Sequence, residues 1–162
     1  MELKIPMAAP GRWFNSNASA VQSAVGKVLS SGQFILGPQV KDFETAFARF
    51  CHTRHAVAVA SGTDAITLIL RALDVAGGEV ITSAHTAIAT LAAIEQAGAK
   101  PVLADINPLN RCLHPNSVAA LLSPETRAIV AVHMFGHPAD MEALSEIAAR
   151  QDIPLVEDCA QA

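Results

Sequence analysis

Charged side chains are scarce in this 162-residue chain. Aspartate, glutamate, lysine and arginine make up 16% of the residues, whereas about 25% is usual for a soluble domain. The hydrophobic share is 51%, so the chain has enough apolar material for one domain with a substantial core. Helices this poor in charge are often covered on more than one side. A dimer partner or a second part of the fold would provide that cover.

Basic surface, targeting segments and paired cysteines are missing as well. The formal net charge is −4, which offers nothing to attract nucleic acid or an anionic membrane. No apolar run approaches the roughly 18 residues of a membrane span, and the N-terminus has no signal-peptide pattern. Cys51, Cys112 and Cys159 follow no disulfide or zinc spacing. We therefore expect a cytoplasmic protein with reduced thiols and with neither nucleic acid nor membrane as a partner.

Several motifs with a known chemistry are also absent. The chain contains no G-x-G-x-x-G dinucleotide fingerprint, no Walker A pattern and no G-x-S-x-G nucleophile elbow. No pair of His, Cys, Asp or Glu residues has the helical or hairpin spacing of a metal site, so we assign no metal.

The order of the elements that are present indicates an α/β fold. Two helices come first, and strands then alternate with helices, which predicts βαβ units and a mostly parallel sheet with helices on both faces. In the second helix Val40, Phe43, Phe47 and Phe50 recur at helical spacing, which predicts a core-facing stripe. The predicted strands are 55–60, 79–83, 101–105, 127–133 and 154–158, and the predicted helices are 17–31, 38–50, 63–73, 86–97, 115–122 and 141–150.

The segment Ser61–Asp64 directly follows the first predicted strand and begins a helix. Gly62 lets the backbone approach a ligand closely, and Thr63 or Asp64 can cap the helix. Free N–H groups and the positive end of a helix favour a phosphate. On these four residues alone, an ordinary helix cap is the simpler interpretation.

The fifth predicted strand ends in the most informative residues of the chain. In an open α/β sheet the ligand crevice lies outside the carboxyl ends of the strands. Asp158 is therefore expected to point at a ligand, with Gln161 close by. His85 follows the second strand at the same edge, where it can stack on a planar ring, hydrogen-bond a ligand or cap its own helix. For His133 and His137, after the fourth strand, a turn role is the simpler interpretation.

Taken together and in this order, these segments resemble the DegT/StrS-type sugar-nucleotide aminotransferases. These are pyridoxal-phosphate enzymes of the aspartate-aminotransferase fold, also called fold type I. The likeness runs from about Pro10 to the end of the chain. The matching segments are Gly37–Pro38, Phe43–Glu44, Ala60–Ala65, Glu79–Ile81, His85–Thr86, Ala89–Thr90, Ala97–Ala99, Asp105–Ile106, Thr126–Ile129, His133–Gly136 and Glu157–Ala162.

The resemblance implies a domain organisation and a set of cofactor contacts. Residues 1–36 would be an N-terminal helical arm, and residues 37–162 would be the N-terminal part of the large cofactor-binding α/β domain. Gly62 and Thr63 would hold the phosphate of pyridoxal 5'-phosphate, and Asp158 would pair with the protonated pyridine nitrogen, which makes the ring an electron sink. Gln161 would hydrogen-bond the phenolic oxygen, and His85 would lie next to the ring.

The chain departs from the family pattern at Ala87 and in the Schiff-base lysine. Ala87 stands where the family usually has an aromatic residue against the pyridine face, so either His85 takes over the stacking or the ring is held more loosely. The Schiff-base lysine of the family lies further along than residue 162, so we assign no catalytic residue and expect the 162-residue chain alone to be inactive. None of the four lysines present matches that position: Lys4, Lys27, Lys41 and Lys100.

The function that the resemblance implies is transfer of an amino group, with glutamate as the expected donor, to a nucleotide-linked keto-sugar. The pathway would make an amino sugar for a polysaccharide or an antibiotic, and the enzyme would be a homodimer. We expect this chain to be a truncated N-terminal portion of such an enzyme. One alternative is a non-catalytic truncated homologue that serves as a cofactor pocket, a dimerisation surface or a regulatory module. Another is an unrelated α/β nucleotide-binding domain without the glycine fingerprint.

Overall fold

A computed structural model describes residues 9–162 of the chain. Lys4 and the beginning of the predicted arm lie outside the described residues. The chain divides into two compact units, one ending at Ala58 and the other spanning Val59–Ala162. The predicted boundary between residues 36 and 37 stays a prediction.

The first unit contains two helices, α1 (Pro10–Ser31) and α2 (Pro38–Phe50). Each begins with a proline, which suits the first helical position because that residue needs no backbone N–H. α1 ends where the sequence predicts, at Gly32, whose φ of 68° is the left-handed conformation that glycine adopts freely.

The aromatic stripe of α2 was predicted to face a core, and this prediction is wrong for the three phenylalanines. Phe43, Phe47 and Phe50 are exposed by 57%, 46% and 80%. They pack on one another instead, with ring centroids 5.4 Å apart for Phe43 and Phe47 and 6.4 Å apart for Phe47 and Phe50. Helical spacing establishes that the three rings share a face, but it does not say what covers that face.

The second unit alternates helices and strands as the sequence predicts, and its four strands are all parallel. The sheet order is β2-β1-β3-β4. No helix within residues 9–162 is both long enough and apolar enough to cross a membrane. The elements are α3 (Gly62–Ala72), β1 (Glu79–Ser83), α4 (Ile88–Gln96), β2 (Lys100–Ala104), α5 (Pro115–Leu121), β3 (Thr126–Val132), a 3-10 turn (Met134–Gly136), α6 (Met141–Gln151) and β4 (Leu155–Asp158).

Helices cover both faces of this sheet. Successive side chains of a strand point to opposite faces, so neighbouring strand residues pack against different helices. On β1, Val80 packs into a cluster with residues of α3 and α4. Its neighbour Ile81 packs into a second cluster with residues of α5 and α6. On β3, Val130 and Ile129 divide between the two clusters in the same way. Two apolar cores therefore hold α3 and α4 on one face and α5 and α6 on the other.

The prediction of a first strand at 55–60 is wrong, because no strand forms there. The part of the chain that the structure describes contains four strands rather than the five predicted. A strand exists only through pairing, and neither edge strand of the sheet pairs with this segment. Val57 is accordingly 78% exposed. The Ala58 N–H donates to a side chain instead, the Glu44 carboxylate, at 2.8 Å.

Candidate functional site

Asp158, the last residue of β4, lies half-buried at the carboxyl edge of the sheet. Two residues before it, Val156 belongs to the core under α3 and α4. Because strand side chains alternate with a period of two, Asp158 points to the same face of the sheet. The carboxylate therefore sits where a parallel α/β sheet binds its ligands.

Two donors hold the Asp158 carboxylate. The Thr90 hydroxyl, from α4, donates to Oδ2 at 3.1 Å, and the backbone N–H of Ala160 donates to Oδ1 at 3.1 Å. Thr90 is fully buried, and its hydroxyl lies 2.8 Å from that of Thr86. A carboxylate has about four lone-pair sites, so two remain for a ligand.

Gln161 is held by a backbone contact. The N–H of Phe135 donates to Gln161 Oε1 at 2.9 Å. A donor must face the carbonyl oxygen of the amide, which fixes the orientation of the side chain. The Gln161 amide nitrogen makes no hydrogen bond within residues 9–162, so both of its protons are available to an acceptor such as a phenolic oxygen.

His85 lies half-buried beyond the end of β1. Its Nδ1 donates to the Arg111 carbonyl at 3.0 Å, and its ring meets Phe135 edge-on with centroids 5.7 Å apart. Arg111 and Phe135 both have a positive backbone φ, 60° and 56°, which is uncommon for residues other than glycine. Ala87 is exposed and supplies no stacking surface.

Gly62 and Thr63 open α3, and Ser61 rather than Thr63 or Asp64 is the cap. The Ser61 hydroxyl accepts the Asp64 N–H at 3.1 Å and donates to the Asp64 carboxylate at 2.8 Å. A methyl group added at Gly62 would meet nothing within 4 Å. Among the described residues the Thr63 hydroxyl has no hydrogen bond. This helix end is therefore open and supplied with donors.

The topology directs that helix end towards the carboxyl edge of the sheet. The short segment 73–78 joins the end of α3 to the start of β1. Ile66 and Leu70 of α3 share an apolar cluster with Val80 of β1, so α3 packs along the sheet in the direction opposite to β1. α3 has 11 residues and β1 has 5, lengths of about 16 Å and about 17 Å. Asp158, Gln161 and His85 lie together at this edge. Gln161 and His85 both contact Phe135, and Asp158 accepts the N–H of Ala160, the residue before Gln161. No hydrogen bond between the described residues joins Gly62 or Thr63 to that set.

A second polar cluster lies on the other face of β4. His133, Glu157 and Cys159 form the one group of three possible metal-ligating side chains found within residues 9–162, with ligand atoms within 4.8 Å. However, His133 Nδ1 accepts the Ala139 N–H at 3.0 Å, so the ring proton is on Nε2 and is donated to Glu157 at 2.9 Å. A protonated nitrogen has no lone pair for a metal. His133 therefore bridges a backbone turn and a carboxylate.

Three lysines fall within the described residues, and the one in the second unit, Lys100, does not lie at this edge. Lys27 is in α1 and Lys41 in α2. Lys100 opens β2 at the amino end of the sheet, where its Nζ lies 3.0 Å from the Glu79 carboxylate. Hydrogen bonding from Lys100 lowers the pKa of Glu79, and the Ser123 hydroxyl lowers that pKa further.

Comparison with known proteins identifies the family to which this arrangement belongs. The model of the DegT/DnrJ/EryC1/StrS aminotransferase family matches residues 15–162. The chain belongs to this family. The dTDP-3-amino-3,4,6-trideoxy-alpha-D-glucose transaminase of Streptomyces venezuelae is 46% identical over 86% of the chain and 37% of its own length. The UDP-2-acetamido-2-deoxy-3-oxo-D-glucuronate aminotransferase of Pseudomonas aeruginosa is 39% identical over 87% of the chain and 40% of its own length.

Solved structures of aminotransferases share the fold. The structure of S. venezuelae DesV superposes with a TM-score of 0.95 at 41% identity, over 99% of this chain and 44% of that one. NtdA from Bacillus subtilis, with bound pyridoxamine phosphate, gives a TM-score of 0.93 at 33% identity, over all of this chain and 38% of its own. The expectation of a fold type I α/β domain is thus confirmed. The chain spans about two fifths of the length of these relatives.

Two residues near the carboxylate, Thr90 and Phe135, were not predicted as site residues from the sequence. Thr90 lies on α4, four residues after Thr86, and this spacing of two hydroxyls in an alanine-rich stretch was the available signal. Phe135 had no such signal, because its role depends on a left-handed backbone conformation that sequence patterns do not reveal.

Proposed function

We propose that this chain forms part of the pyridoxal-phosphate pocket of an aminotransferase that acts on a nucleotide-linked keto-sugar. The observation that carries the proposal is Asp158, a half-buried carboxylate at the ligand edge of the sheet with two lone-pair sites unused. A protonated ring nitrogen is the partner that such a carboxylate suits.

The residues present fit the cofactor. Gly62 leaves open space at the start of α3, where N–H groups and the Thr63 hydroxyl are free to bind a phosphate. The amide nitrogen of Gln161 is free to donate to the phenolic oxygen. His85 is held at its Nδ1 and against Phe135, so it would offer a fixed ring beside the cofactor in place of the aromatic residue missing at Ala87.

The bound cofactor would supply an electron sink for a carbon next to the amino group. The chain's own residues would bind and orient it. Asp158 would keep a proton on the ring nitrogen, Gln161 would fix the tilt of the ring, and the start of α3 would anchor the phosphate. Within Val59–Ala162 no lysine lies at this edge, and we propose that the chain alone does not complete the transfer.

The relatives guide the choice of substrate and setting. Their names specify dTDP- and UDP-linked sugars, so we propose a nucleotide-linked keto-sugar as amino acceptor and glutamate as amino donor, in the biosynthesis of an amino sugar for a polysaccharide or an antibiotic. We further propose a cytoplasmic homodimer. If the chain binds cofactor but its whole protein transfers no amino group, the alternative of a non-catalytic cofactor-binding module stands.

The test is binding of pyridoxamine 5'-phosphate to the purified chain, measured by titration calorimetry. This form of the cofactor carries an amine, so it cannot react with surface lysines. We expect Asp158→Asn, which keeps the shape but removes the charge, to weaken binding at least about tenfold, since hydrogen bonds to charged groups contribute about 1.5–3 kcal/mol.

Asp152→Asn is the matched control. Asp152 follows α6 at the opposite end of β4 in a left-handed conformation, which asparagine tolerates. Equal affinity of wild type and Asp158→Asn would mean that the carboxylate does not hold the ring nitrogen. Absence of binding by a folded wild-type chain would overturn the proposal for this chain.

A further inference from the structure

A pair of threonine hydroxyls stands behind Asp158. Each hydroxyl has one proton to donate. The Thr90 proton is directed to Asp158 Oδ2, at 3.1 Å. The 2.8 Å contact between Thr90 and Thr86 must therefore use the Thr86 proton. The direction of donation is fixed as Thr86 to Thr90 to Asp158.

Thr90 is unusual for its position. It is fully buried on α4, within the stretch Ile88–Gln96, whose other residues are mostly alanine, leucine and isoleucine. A β-branched residue is a weak helix former, and a buried hydroxyl without a partner is costly. Valine would have nearly the same shape and no such cost. The hydroxyl is thus accounted for by its contact with Asp158.

We propose that Thr90, supported by Thr86, is a positioning residue that fixes the rotation of the Asp158 carboxylate. With Oδ2 held by Thr90 and Oδ1 by the Ala160 N–H, both oxygens are tied from the protein side. The two remaining lone-pair sites then face the crevice in one orientation, ready for the ring N–H of the cofactor. This inference rests on the proposed function, because it concerns how the same carboxylate meets the ring.

The experiment measures both affinity and the state of the ring nitrogen. The purified chain is titrated with pyridoxamine 5'-phosphate labelled with 15N in the ring, and the bound 15N resonance reports whether that nitrogen is protonated. Thr90→Val removes the hydroxyl at nearly constant volume. We expect it to weaken binding about 10- to 100-fold and to move the ring resonance from the protonated towards the neutral position. Thr86→Val should weaken binding only severalfold.

Two further variants separate positioning from stability. Thr90→Ser keeps the hydroxyl and should retain the wild-type resonance and most of the affinity. Thr82→Val is the matched control: Thr82 is also fully buried, but its hydroxyl donates to the Val130 carbonyl at 3.0 Å. It should lower stability without changing the ring resonance.

The outcomes are distinct. If wild type binds and Thr90→Val gives the same affinity and resonance, the positioning role is overturned while the proposed function stands. If Thr90→Val does not fold, Thr86→Val decides. It should move the ring resonance part of the way towards the neutral position, and a resonance equal to that of wild type would overturn the positioning role. If wild type does not bind, the failure belongs to the proposed function.

Discussion

At the scale of single residues, Gly62 occupies a position where the described chain itself does not require glycine. Its φ is not positive, and a methyl group there would meet no atom within 4 Å. Gly62→Ala is therefore expected to leave the free energy of unfolding equal or slightly higher, because glycine has the greater entropy to lose on folding. The same methyl group would occupy the space that a phosphate needs, so affinity for pyridoxamine 5'-phosphate should fall at least tenfold.

Urea unfolding and calorimetric titration check the two halves of this prediction. Gly26→Ala, at a similarly open position within α1, is the control that should raise stability by up to about 1 kcal/mol without affecting affinity. Unchanged affinity in Gly62→Ala would show that the cofactor phosphate does not approach the start of α3.

Some residues of the proposed site could be predicted from the sequence and others could not, for a physical reason. Asp158 and Gln161 follow from strand order, since the carboxyl end of a parallel strand is the ligand edge wherever the strand lies in the sheet. Thr90 contacts Asp158 across the gap between α4 and β4, and Phe135, whose φ is 56°, contacts Gln161 through its backbone N–H. Both depend on tertiary approach rather than on local pattern.

At the scale of elements, the predictions that depend on local pattern are correct, and those that depend on tertiary contact are not. Every helix and strand from Gly62 onwards forms within two residues of its predicted bounds, because apolar periodicity and turn residues act locally. The segment 55–60 has the strand pattern and yet forms none, since pairing is a non-local property. The prediction for the phenylalanines of α2 is wrong for a similar reason. Their spacing places them on one face of the helix, but it does not determine what packs against that face.

The starts of β1 and β2 are tied by an ion pair that should make stability depend on pH. Glu79 contacts Lys100 and Ser123, each at 3.0 Å, and its pKa is lowered in the folded state, chiefly by Lys100. A lowered pKa stabilises the fold above the unfolded value, about 4.3, and this contribution is lost as the pH falls through the folded value. Glu79→Gln should therefore be less stable than wild type at neutral pH, with the difference disappearing at acid pH.

Urea midpoints from neutral pH down to about pH 3 test this expectation. Glu95→Gln, which removes an exposed carboxylate without an ion-pair partner among residues 9–162, should show no such converging curve. A constant difference between Glu79→Gln and wild type across the range would mean that the ion pair does not contribute to the folded state.

At the scale of the whole molecule, many large apolar side chains lie on the surface. Within residues 9–162, Ile35, Leu36, Phe50, Val57 and Ile88 each expose more than three quarters of their area. Scattered apolar residues are ordinary on a protein surface, whereas clustered ones mark interaction sites. The stacked rings of α2 form such a cluster, and with charged residues at only 16% little opposes association.

We therefore expect the purified 162-residue chain either to self-associate or to melt without a sharp cooperative transition. Size-exclusion elution at several concentrations and calorimetric melting measure the two properties. Phe43→Gln together with Phe50→Gln should shift the elution towards the monomer, because both changes remove exposed rings of the α2 cluster. Leu109→Gln removes a residue that is 92% exposed but lies outside the α2 cluster, and it should leave the elution unchanged. A wild-type chain that elutes as a monomer at all concentrations and melts in one sharp transition would contradict this expectation, because its exposed apolar side chains would then need no partner.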